Sequence, residues 1–148
     1  MPTYVDNKKV HFNYEILEKY EAGIELVGLE VKSIKKGQGS LDGAHVIVRG
    51  GEAYLINSLI PPYQENNTPK GYEPRRNRRL ILTKKEIAQL ATEEAGAGLT
   101  IVPISIYNKG DLIKVSVAVV RGKKKFDKRE STKKRETDRI VRREFKAR

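Results

Sequence analysis

Positive charge is concentrated at one end of this chain, and that limits which residues can form a packed core. The last 28 residues, 121–148, hold 14 Lys/Arg against 5 Asp/Glu and supply +9 of the formal net charge of +11. The first 120 residues are close to neutral, with 16 basic and 14 acidic side chains. Self-repulsion opposes compaction of so basic a segment. We therefore expect one folded domain over residues 1–121 and a basic tail over residues 122–148 that needs a polyanionic partner.

The composition excludes several kinds of covalent, catalytic and metal site. The chain has no cysteine, which excludes disulfides, thiol catalysis and Cys-based zinc sites. The two histidines, His11 and His45, stand in no metal-binding spacing, so we predict no metal and no cofactor. No stretch approaches the roughly 18 apolar residues of a membrane span, and the N-terminus has no apolar core of secretory type. We expect a soluble, cytoplasmic protein with no membrane partner.

Alternating apolar residues and turn signals predict about six β-strands. Two of them flank Gly50-Gly51, a pair that accepts the positive φ values of a tight hairpin. Two more are joined at the turn-forming sequence Asn108-Lys109-Gly110. The predicted strands cover residues 13–26 (one bent strand or two short ones), 44–49, 52–57, 79–82, 99–107 and 111–121, while residues 1–8 are predicted to be a polar lead-in and 63–73 a loop of low order.

Two helices are predicted. Thr83 and Glu86 have the spacing of a capping box, in which each side chain accepts a backbone N–H of the other residue. Ile87 and Leu90 follow at helical spacing, and the helix should end near Ala95, ahead of two glycines. A second, short helix over residues 28–36 would be ended by glycine in the same way.

The predicted elements favour a mainly β protein with short helices, in the α+β class. No GxGxxG or P-loop sequence opens a helix, and the strand-helix alternation of a parallel sheet is absent. We expect an OB-like antiparallel β-barrel, with an open sandwich as the alternative. Side chains of the last strand should alternate between the core and solvent. Those expected to face the core are Ile113, Val115, Val117 and Val119, and those expected to face solvent are Lys114, Ser116 and Ala118.

Four arginines stand just before the strand at 79–82, in the sequence Pro74-Arg75-Arg76-Asn77-Arg78-Arg79. A guanidinium group matches phosphate oxygens and stacks on bases, which makes the cluster a candidate RNA contact. The alternative is a solvated loop that keeps the protein soluble. Three nearby carboxylates, Glu21, Glu25 and Glu30, have no nucleophile and base beside them, so we expect them to face water and the protein not to be an enzyme.

The tail has the features of a segment that binds a polyanion. Phe126 lies within a basic run, where its ring can stack on a base while its neighbours hold phosphates. Oppositely charged residues at helical spacing, Glu130/Lys134 and Asp138/Arg142, support a helix, but the tail has too few apolar residues to order by itself. We predict a tail that is disordered when free and helical on its partner. A solubility tail and a membrane-surface segment are the alternatives.

Four stretches resemble the small protein B family, the SsrA-binding proteins: GLEVKS (28–33), GEAYL (51–55), PRRNRRLIL (74–82) and RGKKKFDKR (121–129). They keep the family's order and spacing from about Asn7 into the tail. The resemblance implies an OB-like barrel that binds the tRNA-like domain of transfer-messenger RNA, delivers it to stalled ribosomes and starts trans-translation. It implies no catalytic chemistry and no binding to DNA. It also implies a tail that lies along the decoding centre and the empty mRNA channel as a helix.

The resemblance also assigns residues. Glu21 would be the carboxylate that binds RNA, Ile81 and Thr83 strand contacts, Lys114 a basic contact and Asn7 an N-terminal contact. With the arginine cluster, the predicted sites for transfer-messenger RNA are Asn7, Glu21, Arg76, Arg78, Arg79, Ile81, Thr83 and Lys114. The predicted ribosome contacts are Gly122, Lys123, Lys124, Lys125, Phe126, Asp127, Lys128, Arg129, Lys133, Lys134, Arg135, Arg139, Arg142 and Arg143.

A second hypothesis is a structural ribosomal component whose basic extension fills crevices of ribosomal RNA. It predicts the same salt-dependent RNA binding as the first. Only a preference for the tRNA-like domain separates the two.

Overall fold

Within the residues that the structure describes, 3–64, 66, 68–96 and 98–122, seven strands form one antiparallel sheet. The structure is a computed structural model. Its elements follow in the order β1 (Thr3–Asp6), α1 (Val10–Asn13), β2 (Tyr14–Ile24), α2 (Gly28–Lys35), β3 (His45–Arg49), β4 (Glu52–Ile56), β5 (Arg78–Ile81), α3 (Lys84–Glu94), β6 (Leu99–Lys109) and β7 (Leu112–Gly122). The strand order across the sheet is β1-β6-β7-β2-β5-β4-β3.

The sheet curls towards a barrel without closing. β3 approaches β6 across the interior, but the edge strands β1 and β3 are not paired with each other. This confirms the OB-like, mainly β fold. The predicted lead-in at residues 1–8 is wrong, because residues 3–6 form β1 against β6, and Val5 is buried in the core. Apolar alternation over four residues was too short a signal to distinguish an edge strand from a polar segment.

Both predicted hairpins are present. Gly50 and Gly51 have φ values of 60° and 77°, which residues with a Cβ rarely adopt, and they close β3 on β4. The second turn is shorter than predicted, because Lys109 still pairs with Leu112 and the chain reverses at Gly110 and Asp111. Lys109 therefore lies on the sheet and not in a loop.

The capping box of α3 is confirmed. The Glu86 N–H donates to the Thr83 hydroxyl at 3.1 Å, and the Thr83 N–H donates to the Glu86 carboxylate at 2.9 Å. The helix ends at Glu94, as predicted. The short helix is also present as α2, and Gly37 follows it with a φ of 74°.

Apolar side chains pack on both sides of the sheet. The larger core fills the concave side and includes Leu80 and Val117, while a smaller cluster forms where α1 lies on the opposite side. Ala118 belongs to this smaller cluster, beside Val10 of α1 and Val102. Its predicted exposure is wrong, because the four-residue helix α1 covers this end of the outer side. The remainder of the outer side is open.

Candidate nucleic-acid interface

A row of four directly paired residues crosses the part of the outer side that α1 leaves uncovered. Tyr107 on β6 pairs with Lys114 on β7, Lys114 pairs with Gly23 on β2, and Gly23 pairs with Ile81 on β5. Directly paired residues of an antiparallel sheet project to the same side. Two residues along, Glu21, Ser116 and Ser105 form a second row in the same way. We call this surface the open face: Glu21, Gly23, Ile81, Ser105, Tyr107, Lys114 and Ser116.

Glu21 is the anionic centre of the open face. Lys109 donates to its Oε1 from 2.7 Å, and the Tyr107 hydroxyl donates to its Oε2. The hydrogen bonds from Lys109 and Tyr107, with the charges of Lys109 and Lys114, outweigh partial desolvation and lower the pKa of Glu21. The carboxylate is therefore ionised at neutral pH, and two lysines offset its charge.

Tyr107 is held as a hydrogen-bond donor. Burial and then the neighbouring Glu21 carboxylate raise the pKa of Tyr107 to about 12, so its hydroxyl keeps its proton at neutral pH. The carboxylate of Glu21 has about four acceptor positions, of which Tyr107 and Lys109 occupy two. The remaining positions can accept from base amino groups or ribose hydroxyls.

Ile81 forms the apolar part of the open face. A Cβ atom added to Gly23 would lie 3.2 Å from the Ile81 Cβ, so the glycine lets this side chain rest directly on β2. Ile81 is nevertheless 52% exposed. An aliphatic side chain held next to charged groups can make apolar contact with the face of a base or with a ribose.

The structure thus brings together Glu21, Ile81 and Lys114, three of the residues predicted to bind RNA. Thr83 follows Ile81 by two residues and is exposed, but its hydroxyl is also the cap of α3. Sequence reasoning missed Tyr107, Lys109, Ser105 and Ser116. The period-2 alternation of Ser105, Tyr107 and Lys109 was a usable signal, but the predicted turn removed Lys109 from the strand.

Arg78 does not lie on a surface. Its side chain is 0% exposed, and its Nη2 and Nε donate to Glu30 Oε2 at 2.6 and 2.9 Å. Its Nη1 donates to the Ser58 hydroxyl at 3.0 Å. The prediction that Arg78 contacts RNA is therefore wrong. Glu30 is also fully buried, which corrects the expectation that it faces water.

The two neighbouring arginines are paired with carboxylates. Arg76 donates to both oxygens of Glu30, at 2.6 and 3.0 Å, and Arg79 bridges Glu25 and Glu52, each at 3.0 Å. Both remain partly exposed. Within β5, Arg78 is buried and Arg79 is partly exposed, because successive residues of a strand project to opposite sides. The cluster is first of all a structural network.

The same network anchors the loop before β5. The Tyr72 hydroxyl donates to the Ile60 carbonyl at 2.7 Å and lies 3.2 Å from the Glu30 carboxylate. The predicted low order of the 63–73 loop is thus wrong at Tyr72. Glu30 receives hydrogen bonds from Arg76 and Arg78, as well as from the Val27 N–H at 2.9 Å.

Asn7 is a structural residue and not an exposed contact. It is 7% exposed, and its side-chain amide donates to the carbonyls of Pro103 at 3.0 Å and Leu41 at 3.4 Å. These bonds tie the segment between β1 and α1 to β6 and to the segment before β3. The predicted RNA contact through the Asn7 amide is corrected on this ground.

Replacing Asn7 with alanine is expected to lower the free energy of unfolding by about 1–3 kcal/mol, because two buried carbonyls lose their donor. Denaturant unfolding measures this loss. RNA affinity, measured at a temperature where the variant is folded, should stay within about twofold of the parent. A stable variant with tenfold weaker RNA binding would contradict this interpretation.

Gly122 ends β7, opposite Tyr14 at the start of β2. It lies eight residues beyond Lys114 in the same strand, which is about 26 Å at roughly 3.3 Å per residue. The other predicted ribosome contacts, from Lys123 to Arg143, lie outside the described residues. The tail therefore starts at the end of the sheet that α1 covers, away from the open face.

No helix in the described ranges is long and apolar enough to cross a membrane. The same residues contain no group of three or more His, Asp or Glu side chains that could hold a metal ion.

The family model, the related sequences and the matching solved structure all point to one family. The family model described as SmpB protein matches residues 4–147. An SsrA-binding protein from Gloeothece citriformis is 46% identical over 141 residues, covering 95% of this chain and 91% of the relative. One from Elusimicrobium minutum is 47% identical over 140 residues, covering 95% and 88%. A chain from a solved structure described as "tmRNA-SmpB: a journey to the center of the bacterial ribosome" superposes with a TM-score of 0.68 at 40% identity, covering 91% of this chain and 94% of that one. With a sequence match over nearly the whole chain and the same fold, this protein belongs to the SmpB family.

Proposed function

We propose that this protein binds the tRNA-like domain of transfer-messenger RNA, delivers it to stalled ribosomes and so starts trans-translation. Relatives at 44–47% identity carry the name SsrA-binding protein, and the matching solved structure is described by tmRNA, SmpB and the ribosome. The observation that supports the site is the meeting of Glu21, Ile81 and Lys114 on one open face. Action on ribosomes implies a cytoplasmic protein, and the role we propose is binding without catalysis.

Each group of the open face has a chemical part in RNA binding. Lys114 would attract phosphates, together with Lys109, which pairs with Glu21 at the border of the open face. Ile81 would lie against a base or ribose, and Glu21 would accept from amino or 2′-hydroxyl groups. A carboxylate opposes phosphate binding unless its own charge is offset, and the two lysines do this. The face therefore combines electrostatic attraction with acceptor groups that discriminate among RNA features.

We further propose that residues 122–148 bind the ribosome, at the decoding centre and the mRNA channel. The net charge of the segment and its start about 26 Å from Lys114 support this division between barrel and tail. An RNA bound on the open face would leave the origin of the tail clear.

Selective binding separates this proposal from a structural ribosomal component. We expect the full chain to bind the tRNA-like domain at least tenfold more tightly than an unrelated RNA hairpin at the same salt concentration, a difference of about 1.4 kcal/mol. Competition binding with both RNAs measures the ratio. Equal affinity would favour a protein that recognises RNA by charge alone.

Replacing Lys114 with glutamate is expected to weaken binding to the tRNA-like domain at least tenfold, because it puts a second carboxylate beside Glu21 where a phosphate would bind. Filter binding or fluorescence anisotropy measures the affinity of this variant for the tRNA-like domain. The control is Lys70→Glu, which makes the same charge change in the loop between β4 and β5. If both variants bind normally, Lys114 is not part of the site.

A further inference from the structure

Three side chains outside the open face form a second basic and aromatic surface. The ammonium groups of Lys32, on α2, and Lys36, the residue directly after it, lie 5.9 and 5.7 Å from the centre of the Tyr63 ring. The two lysines are one helical turn apart on the exposed side of α2, and Lys35 is exposed beside them. We call Lys32, Lys36 and Tyr63 the α2 patch.

Within the described residues, no carboxylate forms an ion pair with a lysine of the α2 patch. In the same part of the chain Lys35 forms none either, although seven pairs link other basic side chains to carboxylates. The one glutamate of α2, Glu30, is buried against Arg76 and Arg78. Like charges at i and i+4 destabilise a helix slightly. An anionic partner would remove this repulsion.

The Tyr63 ring is held in place by the backbone before it. The Ser33 hydroxyl of α2 donates to the Pro61 carbonyl at 2.7 Å, which fixes the loop on the helix two residues before the ring. Pro61 and Pro62 restrict the backbone further, since proline holds φ near −65°. A ring presented this way loses little conformational entropy when a base stacks on it.

The helix that carries Lys32 of the α2 patch follows β2, the strand that carries Gly23 of the open face, after a short connection. Gly23 of the open face precedes Gly28, the first residue of α2, by five residues, so their Cα atoms are at most about 18 Å apart. Lys32 lies four residues beyond Gly28, about 6 Å further along the helix at roughly 1.5 Å per residue, so a folded RNA that covers the open face can reach it.

We infer that Lys32, Lys36 and Tyr63 form a second RNA contact, in which the two ammonium groups bind adjacent phosphates and the ring stacks on an unpaired base. This inference rests on the proposed function. The RNA that supplies the strand is either the one bound on the open face or ribosomal RNA, since both offer the same phosphates and bases. Ring stacking with flanking lysines is the usual chemistry of single-stranded RNA sites.

The test uses the full chain with Lys32→Gln and Lys36→Gln together. Loss of two phosphate contacts should reduce the log–log salt slope of binding by about 1.4 for a single strand or about 1.8 for a duplex. The matched control is Lys8→Gln with Lys9→Gln, an exposed lysine pair beside α1 at the other end of the sheet. Circular dichroism melting verifies that both double variants are folded.

The ring is tested separately. Tyr63→Leu should weaken binding about fivefold or more, whereas Tyr63→Phe, which keeps the ring, should bind normally. Binding is measured to the tRNA-like domain and to ribosomes. Weakening with the first RNA assigns the patch to it, and weakening with ribosomes alone assigns it to ribosomal RNA.

Normal affinity and salt slope for both partners in the lysine variant would overturn the inference. Lys114→Glu is measured in parallel, because it reports the open face independently. If Lys114→Glu weakens binding while the α2 variants do not, the proposed function stands and the second contact fails.

Discussion

Replacing Glu30 with alanine is expected to lower the free energy of unfolding by about 3–5 kcal/mol, the range found when one partner of a buried ion pair is removed. The charge of Arg78 would then be buried without its carboxylate partner, since none of its side chain is exposed. Arg76 would lose the same partner. Most domains are stable by only about 5–15 kcal/mol, so the variant should be close to unfolding.

Urea or guanidinium unfolding of the two proteins measures this difference. The matched control is Glu25→Ala, which breaks the partly exposed pair with Arg79 and should lower the free energy of unfolding far less, since solvent screens this pair. Similar small losses in the two variants would show that Arg78 finds water or another acceptor once Glu30 is gone.

The same network makes stability depend on pH. Burial alone would raise the pKa of Glu30, but hydrogen bonds from Arg76, the Val27 N–H and Arg78 outweigh burial, and the pKa is lowered. A carboxyl group with a lowered pKa in the folded state stabilises the protein above its unfolded pKa of about 4.3. That stabilisation is lost as the pH falls through the lowered value. Glu30→Gln should therefore reduce the loss of stability below pH 4, as measured by unfolding at several pH values.

Deleting residues 127–148 is expected to abolish peptide tagging on stalled ribosomes while leaving affinity for the tRNA-like domain within a few-fold. The deletion removes 10 of the 14 basic residues of the 121–148 segment and all of its predicted ribosome contacts from Asp127 onwards. The open face is unchanged, since β7 is complete at Gly122. Tagging can be measured in a reconstituted translation system on a message without a stop codon.

Two outcomes of the deletion are informative. Retained binding with lost tagging supports separate roles for barrel and tail. If binding and tagging fall together and to the same extent, the tail takes part in holding the RNA, and the separation we propose is contradicted. A chain with residues 127–148 in scrambled order has the same charge and tests whether charge alone is sufficient.

Local signals in the sequence predicted local structure well. The Gly50-Gly51 hairpin and the Thr83/Glu86 cap each depend on residues within three positions of one another, and both are present as predicted. The family motifs led to Glu21, Ile81 and Lys114, which the fold assembles on one face. The same reasoning was wrong for Arg78, because periodicity does not reveal whether a carboxylate lies opposite a strand residue.

The sequence by itself determined the charge difference between the near-neutral residues 1–120 and the basic residues 121–148, the main turns and caps, and the family. These features depend on composition, on short-range backbone preferences and on motifs that can be read in order. Only the tertiary structure decided that Glu30 binds Arg78 across 48 positions and that Lys109 reaches Glu21 across 88. It also decided that α1 covers Ala118. Such contacts join residues that are distant in the chain, and they form only when strand register and helix packing bring the side chains together.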